Sequence, residues 1–468
     1  MKRACLTFLN EWFSSSHRKP LVIRGARQVG KTWIVRYFAQ SLGKKLIEIN
    51  LEKYPKLAST FSSNDPHIVI QRLRSAFETS IIPSECILFI DEIQEVPDLF
   101  SKLRWFAEDM PELPVIAAGS LLEFVLGKQE FSMPVGRISY MYLEPLSFEE
   151  FLLAQGKHEL VIQLKEFSYT SGISEFTHEK LINFFKEYLI IGGMPAAVAS
   201  WVSDHSLSDI SQIHHDIMQT YRNDFGKYSG RIPSSHLNEV VTAVSKNLGR
   251  KFVYSKVNPE VRISIIKEAL ELLCQARLCH RAIASSSNGV PLAAELLEGY
   301  IKVILLDVGL SSADLGLSLA ELESLNEFEL INKGGIAEQV VGQLLRTINP
   351  FYQLPALYYW LNTDKNGSAE IDYVMQHGSK VIPIEVKAGK TGTLKSLHLF
   401  MGLKKFPLAV RINLSLPQIF EMKIKDTQGN QAHYRLMSIP FYLIGELHRL
   451  IEPAIPVKKF FADNAHLS

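Results

Sequence analysis

The chain of 468 residues is long enough for about three domains, and its 47% hydrophobic and 21% charged residues are ordinary for a folded protein. Lysine and arginine number 50 against 49 acidic residues, and the resulting net charge of +1 excludes an overall field that would recruit a polyanion. The four cysteines form no C-x-x-C pair, which argues against a structural zinc site and predicts a reduced protein.

The candidate targeting and membrane stretches are interrupted by polar residues. Asn10 and Glu11 break the apolar run near the amino end before a signal-peptide core could form. The segment 290–310 contains Glu295, Glu298, Lys302 and Asp307 and is too polar to span a membrane. We therefore expect a cytoplasmic protein with no membrane partner.

The first motif lies between an apolar strand predicted at 21–23 and an amphipathic helix predicted at 33–42. It matches G-x-x-x-x-G-K-[ST] in full and consists of Gly25, Ala26, Arg27, Gln28, Val29, Gly30, Lys31 and Thr32. Its glycines permit a tight loop whose N–H groups can surround phosphate oxygens. Lys31 can reach the β- and γ-phosphates, and the Thr32 hydroxyl can ligate Mg²⁺. The stretch predicts an ATP site.

A second predicted strand supplies the carboxylates that such a site needs. The apolar run 86–90 has the pattern of a strand buried on both faces, and it ends at Asp91 and Glu92. Asp91 is placed to hold Mg²⁺, usually through water, and Glu92 to orient and deprotonate the attacking water. The alternative is a core strand that ends in solvated acids, which leaves the order of the two motifs unexplained. We predict ATP binding and hydrolysis.

Strands and helices alternate from residue 21 to about 147, which predicts a parallel sheet with helices on both faces. Ligands of such sheets bind beyond the carboxyl ends of the strands, where Gly30, Asp91 and Ser120 would meet. Ser120 could detect the γ-phosphate or the lytic water, or it could cap the helix that follows; both interpretations stay open.

Arg137 is a candidate cation for the same reaction. It follows a glycine turn and could reach the γ-phosphate of a neighbouring subunit, where it would stabilise the charge that develops during transfer. The alternative is an ordinary surface arginine.

Together these segments resemble the AAA-type ATPases of bacteria and archaea that carry a DUF4143 C-terminal region. The resemblance rests on residues 25–32, 90–94, 118–120, 136–137 and 143–148. It extends over most of the chain and implies a AAA+ superfamily ATPase that uses ATP and Mg²⁺. It also implies Arg137 as an arginine finger and assembly into a homo-oligomeric ring or partial ring.

The middle of the chain is predicted to be helical up to residue 232. Gly192, Gly193, Met194 and Pro195 interrupt the helices with a turn that also resembles the family. No chemistry is assigned to this turn.

A winged-helix-like module is predicted at 233–312. Its helices would lie at 237–248 and 262–273, and its hairpin strands at 278–283 and 290–293. Such a module can bind DNA or only bridge domains. The second helix mixes acidic and basic residues and has no basic face, which favours the bridging role.

Four charged residues near the carboxyl end form a second constellation. Glu338 lies on a predicted helix, Asp372 and Glu385 lie on predicted strands, and Lys387 shares a strand face with Glu385. Asp372 and Glu385 could ligate Mg²⁺, Glu338 could complete the shell, and Lys387 could position or deprotonate a nucleophile.

This arrangement resembles the PD-(D/E)xK nuclease fold, although Ile371-Asp372 replaces the leading Pro-Asp of that fold. The alternative is an inherited fold with an idle cluster of ion pairs. Residues 379–411 carry seven basic residues and one acid, a local charge of +6 that could neutralise the phosphates of DNA.

The predicted fold is α/β, a P-loop NTPase sheet followed by a helical and winged-helix middle and a restriction-endonuclease-like α/β domain. The predicted domains are an ATPase core at 1–147, a helical lid or linker at 148–232, the winged-helix-like module at 233–312 and a nuclease-like DUF4143 domain at 313–468. Two functions fit this organisation. One is an ATPase coupled to DNA whose last domain cuts or grips it; the other is a protein-remodelling or regulatory switch whose last domain only binds.

Overall fold

The computed structural model describes residues 2–128, 136–228, 232–316, 334–362, 369–387, 393–426 and 428–455. The chain forms two compact units. The amino-terminal unit contains residues 1–145, 271–278 and 349–355, and the carboxyl-terminal unit contains 146–270, 279–348 and 356–468. No helix in the described part of the chain is both long enough and apolar enough to cross a membrane.

A five-stranded sheet forms the centre of the amino-terminal unit. Its strands are β1 (Leu21–Gly25), β2 (Lys45–Asn50), β3 (Cys86–Asp91), β4 (Val115–Gly119) and β5 (Ser139–Leu143). The order across the sheet is β2-β3-β4-β1-β5, and every neighbouring pair is parallel. The predicted parallel sheet is therefore confirmed.

One helix precedes this sheet in the chain, and others lie between its strands. They are α1 (Cys5–Ser14), α2 (Lys31–Ser41), α3 (Pro66–Phe77), α4 (Leu99–Asp109) and α5 (Leu122–Lys128). Leu88 and Ile90 of β3 are buried in one core with Phe100 and Leu103 of α4. Burying side chains of this size contributes about 1.5–3 kcal/mol each, which holds the carboxyl end of β3 in place.

The carboxyl-terminal unit begins with helices. They are α6 (Phe148–Ala154), α7 (His158–Glu166), α8 (Glu175–Ile191), α9 (Pro195–Asp204), α10 (Leu207–Tyr228) and α11 (Ser234–Lys246). Later helices are α12 (Ile263–Gln275), whose last residues belong to the amino-terminal unit, α13 (Val308–Asp314), α14 (Gly334–Leu345), α15 (Lys395–Lys404) and α16 (Leu447–Ala454).

An eight-stranded mixed sheet completes this unit. Its strands are β6 (Cys279–Ser285), β7 (Leu296–Leu305), β8 (Leu357–Leu361), β9 (Glu370–His377), β10 (Lys380–Val386), β11 (Leu408–Asn413), β12 (Gln418–Lys425) and β13 (Gln431–Pro440). Their order is β12-β13-β11-β10-β9-β8-β6-β7. Strands β6 and β7, from the predicted winged-helix-like module, therefore share one sheet with the strands that follow residue 356.

The predicted hairpin after residue 278 is only partly correct. The first strand is β6, but residues 290–293 do not form the second; the segment Leu292–Glu295 is a 3₁₀ helix, and β7 begins at Leu296. Pro291 has no N–H to donate to a strand ladder, so the apolar run after it supplies the pairing instead.

The glycine turn that interrupts the helices packs against Asp307. The buried carboxylate of Asp307 accepts hydrogen bonds from Gly193 N at 2.6 Å and from Gln343 Nε2 at 2.8 Å. A Cβ added at Gly192 would lie 2.0 Å from Asp307 Oδ1, and one added at Gly193 would lie 2.2 Å from Leu146 O. Close backbone approach, and no chemistry, accounts for this turn.

Candidate functional site

The predicted phosphate loop connects β1 to α2 through a left-handed backbone. Gly30 has φ of 94° and forms the amino-terminal boundary of α2, and Gln28 also has a positive φ of 64°. Neither a side-chain cap nor an acidic residue occupies the first turn of α2. The amide N–H groups and the positive end of the helix dipole are therefore available to an anion.

Lys31 lies folded against its own loop. Its Nζ donates hydrogen bonds to Gly25 O at 3.0 Å and to Ala26 O at 2.7 Å, and the residue is only 7% exposed. Burial lowers the pKa of Lys31 to about 8, against the opposing pull of Glu92 and Asp91. An approaching triphosphate would give this ammonium a far better partner than two carbonyl groups.

Thr32 and Asp91 join the two motifs directly. Thr32 Oγ1 donates a hydrogen bond to Asp91 Oδ2 at 2.8 Å, and Glu92 N donates to Asp91 Oδ1 at 3.2 Å. Asp91 is 3% exposed, and burial raises its pKa above the ordinary value. A hydroxyl and one carboxylate fit Mg²⁺, because that ion takes one or two protein ligands and fills its octahedron with phosphate oxygens and water.

Glu92 is held by two neighbours at the rim of the sheet. Its Oε2 accepts a hydrogen bond from Gln94 Nε2 at 2.6 Å and lies 3.3 Å from Ser120 Oγ. Gly119 makes this possible, since an added Cβ there would lie 2.0 Å from Gln94 Oε1. The structure thus brings Ser120 to the predicted base, and it adds Gln94, which the sequence did not assign to the site.

Arg137 lies apart from these contacts. Its Nε forms an ion pair with Glu108 Oε1 at 2.7 Å, and its side chain is 55% exposed. A role in the site of a neighbouring subunit stays a prediction.

A buried group of charges that the sequence did not reveal supports the phosphate loop. Arg277 donates to Glu144 Oε1 at 2.5 Å, and its guanidinium opposes the protonation of Lys31. Arg3 donates to Val29 O at 3.0 Å and to Glu144 O at 2.7 Å. These arginines are far from the motif in sequence, and no local pattern marks them.

The second constellation is assembled in the carboxyl-terminal unit. Lys387 Nζ lies 2.7 Å from Glu385 Oε1, and Asp372 Oδ2 accepts a hydrogen bond from Val386 N at 2.7 Å. Burial and the nearby charge of Asp372 raise the pKa of Glu385 to about 7, against the pull of Lys387. The carboxylates of Asp372 and Glu385 are therefore placed on neighbouring strands, as the sequence predicted.

Glu338 is connected to this group of charges through Lys302, which the sequence analysis did not assign to the group. Lys302 Nζ lies 2.8 Å from Glu338 Oε2 and 3.8 Å from Asp372 Oδ1, and it also pairs with Glu370. Lys302 interrupts an apolar stretch of β7, and this was the available signal.

Glu338 and Asp372 do not share a metal ion as they stand, because the Lys302 ammonium already lies between them. A metal role for Asp372 and Glu385 stays a prediction. Within the described residues no group of three or more His, Cys, Asp or Glu side chains is arranged to hold a metal ion.

A basic groove of about 750 Å³ lies at the edge of the eight-stranded sheet. It is lined by Lys405, Lys423, Ile424, Lys425, Gln431, Ala432 and His433. Several basic residues of the patch predicted at 379–411 already have partners. Lys387 pairs with Glu385, Lys404 donates to Asn288 and Arg411 donates to Ser438, while Lys390 lies outside the described residues.

Three family models match the chain. The model of an AAA domain matches residues 17–152, a domain of unknown function, DUF8612, matches 182–321, and another, DUF4143, matches 333–428. A search of the curated proteins found no match. None of the matching models describes a nuclease, so the PD-(D/E)xK resemblance stays a prediction.

Solved structures resemble the chain only weakly. The structure of C. elegans PCH-2 is 11% identical with a TM-score of 0.26, and the alignment covers 42% of this chain and 59% of that one. The Thermotoga maritima RuvB Holliday junction branch migration motor is 16% identical with a TM-score of 0.26, and the alignment covers 59% of this chain and 87% of that one. These likenesses carry no argument about function.

The motifs, the parallel sheet and the family model agree for the amino-terminal unit. Residues 17–152 form an AAA domain, and residues 333–428 match DUF4143.

Proposed function

We propose that the amino-terminal unit binds ATP with Mg²⁺ and hydrolyses it. The hydrogen bond of 2.8 Å between Thr32 Oγ1 and Asp91 Oδ2 carries the proposal, because it brings the oxygen ligands of two separate motifs to one point. Mg²⁺ at that point would neutralise phosphate charge during transfer. The match to an AAA domain supports ATPase activity in general.

Each neighbouring group has a distinct role in this proposal. Lys31 exchanges its two carbonyl acceptors for oxygens of the β- and γ-phosphates, and the loop amides of residues 26–30 surround the remaining phosphate oxygens. Glu92 accepts the proton of the attacking water, while Ser120 and Gln94 hold its carboxylate in position.

We extend the proposal to a homo-oligomeric ring or partial ring in which Arg137 acts on a neighbouring subunit. The support is that Arg137 is exposed and held only by Glu108 among the described residues. An exposed ion pair is worth little, so the guanidinium can exchange its partner for a γ-phosphate at low energetic cost.

We also propose that ATP turnover is coupled to nucleic acid bound at the basic groove. Lys405, Lys423 and Lys425 are exposed, and none of them makes an ion pair within the described residues. Lysines without carboxylate partners are free to neutralise phosphates and release counterions. Because the described carboxylate cluster already contains Lys302, the carboxyl-terminal unit serves in this proposal as a platform that binds without cutting. A protein-remodelling switch without nucleic acid is the alternative.

Glu92→Gln tests the assignment of the base. The amide keeps the shape of the side chain but cannot accept a proton, so ATP turnover should fall by at least about 100-fold while ATP still binds. Steady-state phosphate release and ATP titration measure the two quantities. Glu95→Gln, an exposed acid three residues along the chain, is the matched control and should keep wild-type turnover. Wild-type turnover by Glu92→Gln would show that another group is the base.

The lowered pKa of Lys31 predicts proton uptake when ATP binds. With a pKa of about 8 the ammonium is about half deprotonated at pH 8, and phosphate contact should raise its pKa again. Binding should therefore take up roughly 0.5 proton per ATP at pH 8 and roughly 0.1 at pH 7. ATP affinity should fall between pH 7 and pH 9.

Calorimetry in buffers of different ionisation enthalpy measures this uptake. Lys31→Arg is the control, since guanidinium stays protonated throughout, and Lys31→Ala should not bind ATP. Equal uptake by the wild type and Lys31→Arg would assign the proton to another group.

The basic groove can be tested through the salt dependence of DNA binding. Lys423→Ala combined with Lys425→Ala should weaken binding of a duplex and reduce the slope of log K against log salt by about 0.9 for each phosphate that is no longer neutralised. Fluorescence anisotropy at several salt concentrations measures both. Lys180→Ala removes an exposed lysine of α8 and should change neither. A wild-type protein that binds no DNA at low salt would leave the protein-remodelling alternative.

A further inference from the structure

The side chain of Lys302 enters the carboxylate cluster from the middle of β7. It is 2% exposed and reaches Glu338 of α14 together with Glu370 and Asp372 of β9. An ammonium this deeply buried would lose its charge if it were unpaired. Burial alone would lower the pKa of Lys302, but the three carboxylates outweigh it and keep the pKa above its ordinary value.

Neighbouring residues hold Glu338 and Lys302 in place. Tyr373 Oη donates a hydrogen bond to Glu338 O at 2.8 Å, and a Cβ added at Gly249 would lie 2.7 Å from Glu338 Oε1. Lys302 Nζ also lies 5.3 Å from the ring centroid of Tyr359, within range of a cation–π contact. The Lys302 ammonium therefore belongs to the packed interior of this unit. It differs in this from a surface lysine whose side chain lies across neighbouring carboxylates.

The balance of charges in the cluster explains why a lysine is buried there. Four carboxylates, Glu338, Glu370, Asp372 and Glu385, share two lysines, Lys302 and Lys387. Buried carboxylates need a cation, and in a metal-dependent site the ion supplies it. Here an ammonium fixed by the chain occupies the position between the carboxylates of the helix and the strand.

We propose that Lys302 is a built-in substitute for a divalent cation, and that removing its ammonium converts the cluster into a metal-binding site. In the wild type Lys302 compensates Glu338, Glu370 and Asp372 from within the chain, and no metal is held between Glu338 and Asp372. This inference does not depend on ATP chemistry. It concerns the described carboxyl-terminal residues alone, and its test uses nucleotide-free protein.

Lys302→Met keeps the length and the apolar stem of the side chain and removes its charge. In EDTA the full-length variant should melt roughly 5–10 °C below the wild type, because three partly buried carboxylates lose their cation. Mn²⁺, which carboxylates bind readily, should recover at least half of this loss. The wild type should shift by less than about 1 °C when Mn²⁺ replaces EDTA, and Lys180→Met, an exposed control, should behave like the wild type.

One further variant and a direct count of bound metal keep the test decisive. Lys302→Met combined with Glu338→Gln removes one negative and one positive charge, so it should melt above Lys302→Met in EDTA and gain little from Mn²⁺. If Lys302→Met does not fold without metal, expression with Mn²⁺ should recover folded protein, and the double variant should fold without the ion. Binding of Mn²⁺ is counted directly by electron paramagnetic resonance, with one additional ion expected for Lys302→Met.

Three results would overturn the inference. The first is a Lys302→Met variant as stable as the wild type in EDTA. The second is a destabilised or unfolded variant that Mn²⁺ does not recover. The third is metal-dependent DNA cutting by the wild type that Glu385→Ala combined with Lys387→Ala abolishes, because it would place an active metal beside Lys302.

Discussion

The hydrogen bond between Thr32 and Asp91 is the contact on which the nucleotide site depends. Strands β1 and β3 are not neighbours, because β4 lies between them, but both pair with β4 in parallel. Their carboxyl ends therefore reach the same edge of the sheet, and the left-handed backbone at Gly30 begins α2 where Thr32 faces Asp91. Apolar packing of β3 against α4 fixes the position of this edge. The same packing that forms the core therefore also places the site residues at the rim of the sheet.

Two buried lysines show how the groups that contact an ammonium determine its pKa and its capacity to bind an anion. Lys31 donates to two carbonyl oxygens, which compensate its burial only partly, and its pKa falls to about 8. Lys302 has three carboxylates, and its pKa rises instead. The first lysine is therefore ready to accept an anionic ligand, whereas the second is already neutralised. Buried Asp307 is a third case, in which backbone amides and Gln343 supply the compensation and the carboxylate serves the fold.

The sequence predicted features that depend on residues close together in the chain, and it missed those that depend on residues far apart. The phosphate loop, the strand before Asp91 and the parallel sheet follow from local patterns, and the strand pair that carries Asp372 and Glu385 was also placed correctly. Lys302 and Arg277 could not be assigned, because their partners come from distant segments and a single buried cation leaves no periodic pattern. The second strand of the hairpin was predicted too early, at 290–293. Pro291 lies in an apolar stretch, and the sequence alone does not show that the strand begins only at Leu296.

The effect of Mg²⁺ on ATP affinity in the wild type and in Thr32→Val tests the central claim most directly. Valine keeps the shape of threonine and removes the hydroxyl that faces Asp91. Calorimetric titration of nucleotide-free protein should show that Mg²⁺ tightens ATP binding by the wild type, and that Thr32→Val binds ATP in EDTA but shows little of this tightening. Absence of ATP binding by the wild type, or an equal effect of Mg²⁺ in both proteins, would contradict the account.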